Sequence, residues 1–490
     1  MNRIDNIDSI ADRYDLVIVG AGPAGLAAAA EANQLGLTTL LADENISPGG
    51  QIYRAITTTP VKRRSVLGSA YWEGLALVHD LEKSVVDYTA RTVVWSVEPA
   101  LDDTGKLIEP THFEVGLSQT GKARLIRARR LILATGAIER PVPVPGWTLP
   151  GVMTAGAAQI ALKSSGLVPE GRTIIAGSGP LLLLLADQLK RSGANIVAVL
   201  ETTPRGNFTA ALPQLADFLC STYALYGLKL LAKSRFSLPM RRKVSGLSIV
   251  GSDCVQRIDF NDNGISRSIE CDHVLLHHGI IPNINMASAL GCELFWDESV
   301  HAWTPVVDDW LESSVAGIGI AGDGAGIAGA PSAAVRGKMA AIAAAAALGR
   351  IDVASRNTMS RPLKKQAVRL ARGRAFIDRL FCPTQPMLRP TDPSTIICRC
   401  EEVRAQQIRD VVNDLNVQGP NQLKAYLRTG MGPCQGRMCG SSIIELIAEQ
   451  RGVPVHEVGH LHLRMPIKPI TLEEIASMPQ SQAAKNAVMR

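Results

Sequence analysis

The chain from Asp15 to Val19 (DLVIV) is apolar after its first residue and stops at Gly20. A short apolar run ended by glycine predicts a strand buried on both faces of a parallel sheet. Helix-forming residues follow from Leu26 to Leu35, and a second apolar strand, Thr38 to Leu41, ends at Asp43-Glu44. The same strand–helix–strand rhythm returns at Arg172 to Ala176, closing with Ile196 to Leu200 and Glu201. Between and after these units, Arg130 to Leu133 predicts a strand and Ala333 to Leu348 a helix. Alternation of this kind predicts an α/β chain with two Rossmann-like, dinucleotide-binding folds. Strand signals fade from Asp352 onward. Lys364 to Leu380 predicts one basic amphipathic helix, and Cys382 to Pro393, with four prolines, predicts a linker. Beyond it, Arg404 to Leu415 and Asn421 to Leu427 predict helices of a small, mainly helical C-terminal domain.

Length supports this division: 490 residues are too many for one core. Hydrophobic residues at 46% and charged residues at 20% fit a globular chain, so no fibrous or disordered class applies. The net charge of +6 is small for this length, and no Lys/Arg run exceeds four, which argues against a nucleic-acid partner. Met1 to Asp15 has no apolar core of a secretory signal. The longest apolar runs, Pro180 to Ala186 and Met339 to Leu348, fall well short of the roughly 20 residues a membrane span needs. A cytoplasmic protein is expected, with peripheral contact to the inner membrane left open. There its nine cysteines serve as thiols, ligands or catalytic groups rather than disulfides.

The first turn is Gly20-Ala21-Gly22-Pro23-Ala24-Gly25. In a strand–GxGxxG–helix–strand–acid unit each part has a task. Gly20 makes the tight turn, Gly22 admits a pyrophosphate to the backbone, and Gly25 brings helix and strand together. The helix N-terminus holds phosphates through its free N–H groups and dipole. Asp43 or Glu44 is the expected partner of the ribose hydroxyls. The second turn, Gly177-Ser178-Gly179-Pro180-Leu181-Leu182, carries leucine where the third glycine belongs, and Arg205 stands alone after Glu201 with no second arginine for a 2′-phosphate. The second unit therefore predicts the fold without a committed NAD(P) site.

Ala134-Thr135-Gly136-Ala137 and Gly319-Ile320-Ala321-Gly322-Asp323 resemble the ATG and GD motifs of two-dinucleotide-domain flavoproteins of the glutathione-reductase and thioredoxin-reductase type. The resemblance implies FAD on the first turn, with Asp323 on its ribityl chain. The redox-active Cys-x-x-Cys of that family is absent. Cys220, Cys254, Cys271, Cys292 and Cys382 are scattered singly and are expected as buried, inert thiols. His277-His278, before the turn Gly279-Ile280-Ile281-Pro282-Asn283, reads as structural.

Near the C-terminus the spacing is C-x-C-x33-C-x4-C, on Cys398, Cys400, Cys434 and Cys439. Four cysteines in two close pairs suit zinc or an iron–sulfur cluster. Zinc ribbons favour C-x2-C knuckles, whereas here a C-x-C pair faces a Gly-rich loop whose N–H groups can reach cluster sulfides. The segment resembles bacterioferritin-associated-ferredoxin-like [2Fe-2S] domains, departing in its last spacing, x4 where free-standing members have x2.

Over nearly its full length the chain resembles the α (A) subunits of opine oxidases, hydrogen cyanide synthase, and D-hydroxyproline and dye-linked L-proline dehydrogenases. The stretches that carry this are Pro48-Gly49-Gly50-Gln51-Ile52-Tyr53-Arg54, 134–152, 321–329, 398–403, 430–439 and Arg464 to Ile470. The resemblance implies FAD held by Gly20, Gly22, Pro23, Ala24, Gly25, Asp43, Glu44, Gly50, Gln51, Ala134, Thr135, Gly136, Gly322 and Asp323. It implies a [2Fe-2S] cluster on the four cysteines and an FMN at the subunit contact. It also implies a D-amino-acid-oxidase-like β subunit with its own FAD, in an α2β2 or larger assembly, and a quinone or similar acceptor. No acid–base pair, nucleophile or carboxylate clamp marks this chain as the substrate-oxidising one, so no catalytic residue is assigned. The expected domains are 1–155 and 286–350 for the flavin fold, 156–285 inserted, 351–393 as helix and linker, 394–465 for the cluster, and 466–490 as tail. A NAD(P)H-dependent flavin/[2Fe-2S] reductase and a scaffold with a decayed flavin site are the alternatives.

Overall fold

The computed structural model describes residues 1–100, 112–225, 227–228 and 238–478. Its first sheet is built on the buried strand Arg13–Val19, flanked in parallel by Thr39–Ala42 and by Lys122–Leu133. The short strand Ile318–Ile320 adds to Lys122–Leu133, also in parallel, so a segment nearly 200 residues downstream completes the same sheet. Two antiparallel strands, Val93–Pro99 and Phe113–Gln119, extend one edge. The helices Pro23–Gln34 and Ala330–Ala347 lie against each other on one face, their contact made almost wholly of alanine and glycine. Small residues let the two backbones approach closely, which carries the end of the late strand to the first turn.

The second sheet is wholly parallel among its described strands: Met240–Arg242, Asn195–Glu201, Arg172–Ser178, His273–His278 and Val152–Thr154, in that order. Its helix Pro180–Arg191 buries Leu182, Leu185 and Leu189 in a core shared with the first fold. A three-stranded antiparallel sheet, 245–270, covers the other face. This second fold lies in sequence between the strands of the first, as the alternation predicts.

Two expectations need correction. The single helix over Lys364 to Leu380 is two, Val353–Ala371 and Arg374–Phe381, broken at Gly373 with φ 80°. Tertiary contacts make the break: Gly373 N–H donates to Asp217 (2.8 Å), and Phe376 stacks on Phe218 at 4.4 Å. The linker also contains a helical turn, Gln385–Leu388, whose Leu388 is buried in the second fold's core. Of the five single cysteines, Cys271 and Cys292 are buried, but Cys220 and Cys254 are exposed and Cys382 is partly exposed.

The C-terminal unit packs the helices Ala405–Asp414, Pro420–Leu427 and Gly440–Arg451 around Ile397, Ile408, Leu423, Ile443 and Leu446. Its tail returns to the first sheet, where Ile467 N–H donates to Trp95 O (2.9 Å) and Ser118 Oγ to Glu474 (2.8 Å). No helix among the described residues is long and apolar enough to cross a membrane.

Candidate functional site

The first turn opens at the end of Arg13–Val19, and its glycines divide by what crowds them. A Cβ on Gly20 would sit 2.6 Å from Ala134 O, and one on Gly25 would run into Gly20 O. Those two are demanded by the fold. A Cβ on Gly22 would meet nothing closer than Gly50 Cα, at 3.8 Å. Gly22 also has an ordinary backbone, φ −75° and ψ −176°, so the protein alone does not require glycine there. The cleft beside Gly22 is floored by Gly50, while Gly49 N–H bonds Ala21 O at 2.8 Å. Pro23 and Ala24 begin the helix whose free N–H groups face this space. Gly322-Asp323 arrives from the late strand and packs on Ala24; Asp323 Oδ1 accepts from Ala328 N–H (2.9 Å) and Gly329 N–H (3.1 Å).

The two acids after the second strand do different things. Asp43 is buried: Oδ2 accepts from Ala21 N–H (2.5 Å) and Oδ1 from Asn45 N–H (2.7 Å), so it locks the turn from inside. Burial pushes its carboxyl up, and these donors pull against that. Glu44 is exposed and paired with Lys468 of the tail at 2.7 Å. Arg54 joins them with a shielded Nε that has no partner, and Asp43 and Glu44 attract its charge. Gln51 accepts from Arg54 at 2.9 Å. A cradle open at Gly22, a helix N-terminus and an unmatched guanidinium N–H suit the pyrophosphate of a dinucleotide.

Lys163 has no signal in the sequence, where it reads as a helix-surface lysine. Its side chain is nearly fully buried, and Nζ donates to Ile52 O (2.9 Å), Gln51 O (3.3 Å) and Gln159 Oε1 (2.9 Å). Burial, with the charge of Arg54 nearby, pushes its pKa down to about 7. It fastens the Gln51-Ile52 stretch to the second fold.

The second turn is arranged differently. Leu182 turns wholly into the shared core instead of standing on the phosphate side. The ring of His277, tied through Nδ1 to Glu139 at 2.5 Å, comes within 3.4 Å of where a Cβ on Gly179 would lie. His277 and its carboxylate thus occupy the neighbourhood of the middle glycine, which stands open in the first turn.

The four C-terminal cysteines form a row of contacts: Cys398 with Cys439, Cys439 with Cys434, and Cys434 with Cys400. Among the described residues no three Cys, His, Asp or Glu side chains are gathered for a single metal ion. Cys398 is pulled down to about 6, first by the Cys439 thiol and then by the N–H groups of Glu401, Gly430 and Cys400. Cys434 is pulled down to about 5, first by Cys439 and then by Met438 and other donors; Cys439 is raised in exchange. Backbone N–H groups that favour thiolate are what an iron–sulfur ligand set needs, since the bound sulfurs carry negative charge. Gly432 is pressed against Cys400, so the loop can close only with a bare Cα there.

Two loops of the flavin-type fold reach this unit. Asn283 N–H donates to Gly136 O (3.0 Å), and Thr135 Oγ1 donates to Asn283 O (3.2 Å). Two residues on, the buried Asn285 donates through Nδ2 to Gln435 O (2.8 Å), next to Cys434. A short segment therefore ties the Ala134-Thr135-Gly136 loop to the cysteine loop. On the far side, buried Glu445, on the helix that begins after Cys439, pairs with His301 and with Arg389 (3.0 Å).

Comparison with known proteins matches residues 14–349 to the pyridine nucleotide-disulphide oxidoreductase family and 396–449 to the BFD-like [2Fe-2S] binding domain. The chain is 44% identical to the A-type polypeptide of opine oxidase from Rhizobium meliloti, over 100% of this chain and 92% of that one. It is 31% identical to the HcnB polypeptide of hydrogen cyanide synthase from Pseudomonas aeruginosa, over 93% and 96% of the two chains. The fold is also that of L-proline dehydrogenase from P. horikoshii, with TM-score 0.71, 20% identity, and 97% and 80% of the two chains covered.

Proposed function

The chain belongs to the family of the A-type polypeptides of opine oxidases, and on that premise we propose that it relays electrons taken from an amino acid or opine by a partner subunit. It is a flavin- and [2Fe-2S]-type component of a heteromeric oxidoreductase acting on C–N bonds, and a free-standing NAD(P)H-dependent reductase is not favoured. The observation that carries the relay reading is the short tie between the two cradles: Thr135-Gly136 at one end, Asn285 and Gln435 at the other.

In this reading FAD is the flavin of the first cleft. Gly22, Pro23, Ala24 and Gly50 accept its pyrophosphate, Glu44 is the acid at the rim, and Asp323 holds the chain beyond. Asp43 contributes from inside, as the brace of the turn. Gln51 and Ala134-Thr135-Gly136 line the remainder. Cys398, Cys400, Cys434 and Cys439 hold the cluster. When bound, the two groups supply conversion between paired and single electrons, because a flavin takes a pair and a [2Fe-2S] centre takes one at a time. The partner is a D-amino-acid-oxidase-like β subunit with its own FAD, with FMN at the contact, in an α2β2 or larger assembly. The terminal acceptor is a quinone or similar molecule, which places the complex in the cytoplasm and peripheral to the inner membrane. His277 and Leu182 support a second fold that serves as structure and not as a NAD(P) site. The functional units run 1–155 with 286–350, 156–285, 351–393, 394–465 and 466–490.

Reconstitution tests this. The chain alone should show no turnover of opines, proline or glycine, and reduction of an artificial acceptor should appear only with the β subunit. Cys398→Ser should stop acceptor reduction while substrate still bleaches the β flavin in a single turnover. Steady turnover of an amino acid by the purified chain alone would refute the relay.

A further inference from the structure

A cleft of about 620 Å³, counting its open mouth, lies where the cysteine loop meets the flavin-type fold. Its walls come from parts of the chain far apart in sequence. Trp296 and Trp303 face each other across the hairpin Leu294–Asp297/Ala302–Pro305, with ring centroids 5.7 Å apart. His460 adds a third ring, 5.1 Å from Trp303. The opposite wall is the stretch Gln435-Gly436-Arg437, which lies between the two cysteines of the second pair, and the start of the helix Gly440–Arg451. Both tryptophans carry an indole N–H that nothing in the described chain accepts. Arg437 brings a guanidinium that is largely buried and donates to carbonyl oxygens, Cys434 O (3.1 Å) and Ile467 O (3.4 Å). Among the described residues no acid forms an ion pair with it.

Three aromatic rings, unmatched N–H donors and a buried cation form a site for something flat and electron-rich. We propose that this cleft binds a planar, carbonyl-bearing redox ring, of the quinone or isoalloxazine kind, directly against the cysteine loop. Stacking on Trp303 holds the ring, and the N–H groups and Arg437 favour the negative charge that reduction places on its carbonyl oxygens. The exchange balances: the ring gains two electrons and two protons and ends as its dihydro form. The protons come from water. The electrons come from the C–N bond that the partner oxidises, arriving singly by way of the four-cysteine centre. This inference rests on the relay reading and adds the place where electrons leave or enter beside that centre.

The test uses the purified full chain with its cluster, followed by calorimetric titration with a short-chain benzoquinone in one arm and FMN in the other. One of the two should bind with saturation, and which one does identifies the source of the ring. With the matching reduced ring present, the EPR line shape of the reduced cluster should change. Trp303→Leu should weaken binding roughly tenfold by loss of stacking. Ala302→Phe, which fills the cleft from the same hairpin, should abolish binding while the cluster's visible absorption is kept. If neither ring binds a wild-type chain whose cluster signal is intact, or if both variants bind as tightly as wild type, the inference is overturned and the relay reading stands. A wild-type chain with no cluster signal would remove the relay reading itself, and this inference with it.

Discussion

Replacing Gly22 by alanine separates what the fold needs from what the ligand needs. In the folded chain the new methyl has Gly50 Cα as its nearest neighbour, at 3.8 Å, an ordinary contact. The backbone there, φ −75° and ψ −176°, is open to any residue. Losing a glycine's freedom in the unfolded chain favours the variant by about 0.4–1 kcal/mol. Alanine is a poorer N-cap than glycine, which costs about the same. The two offset, so the variant without cofactor should unfold within about 1 kcal/mol of wild type. A methyl forced into the surface where the pyrophosphate must touch the backbone costs about 1–3 kcal/mol. That corresponds to a roughly 5- to 150-fold rise in the flavin dissociation constant. Gly25→Ala is the contrast. Its methyl would overlap the Gly20 carbonyl, so stability and flavin should fall together. The assay is urea unfolding of the stripped proteins beside titration with FAD. Wild-type affinity in Gly22→Ala would show that no pyrophosphate lies on this turn.

The remaining expectations are more compact. Cys434→Ser should remove the visible absorption and the reduced-state EPR signal of the cluster, while Cys382→Ser should leave both; stoichiometric zinc without iron would contradict the assignment. Lys163 gives a pH signature in the chain stripped of flavin. Its ammonium releases its proton near 7 when folded and near 10.5 when unfolded, so between these values the unfolded chain holds more protons and stability rises with pH. That interval bounds the gain at about 5 kcal/mol, and Lys163→Met should flatten the slope; an unchanged slope would mean the lysine is not the source. Asn285→Leu removes the donor to Gln435 and should slow flavin-to-cluster electron equilibration in stopped-flow spectroscopy, with both cofactors retained. An unaltered rate would show that the tie does not set the approach of the two loops.

What the sequence makes legible here is local. A glycine turn after an apolar strand, or four cysteines in two pairs, is read from a few adjacent residues, because turn and ligand chemistry act over that range. The two-dinucleotide-domain fold follows from such units in order. The sequence does not show which way a side chain faces when two candidates stand together. Asp43 and Glu44 are adjacent acids, and only the packing around the strand Thr39–Ala42 turns one inward onto Ala21 and the other out to Lys468. Lys163 is illegible for the same reason, since nothing in its helix announces that Gln51 and Ile52 will close over it. The break at Gly373 is hidden from the helical pattern because Phe376 is drawn to Phe218, distant in sequence, and the tertiary contact overrides local propensity. Trp296 and Trp303 become a pair only through hairpin register.

The two glycine turns, taken together, show how one fold serves as site and as frame. Both follow a buried parallel strand, both begin a helix with proline, and both lie under a late crossing strand. In the first, the strand that arrives late ends at Ala321-Gly322-Asp323, whose small residues leave the space over Gly22 open. In the second, the corresponding strand ends at His277-His278, and the imidazole held by Glu139 stands near Gly179. Glu139 also accepts from Gly156 N–H (2.8 Å), so this carboxylate joins the second sheet to the first helix of its own fold. The next residue, Arg140, is buried and donates to His301 O (2.8 Å), and His301 in turn pairs with Glu445 behind the cysteine loop. Side chains that in a working nucleotide site would yield to phosphate here form a continuous polar brace from the second turn to the helix that follows Cys439. A brace of buried, paired charges resists relative motion, because separating any pair strands a charge away from water. The second fold thus trades nucleotide space for a rigid seat under the cysteine domain, and that seat keeps Asn285 within a hydrogen bond of Gln435.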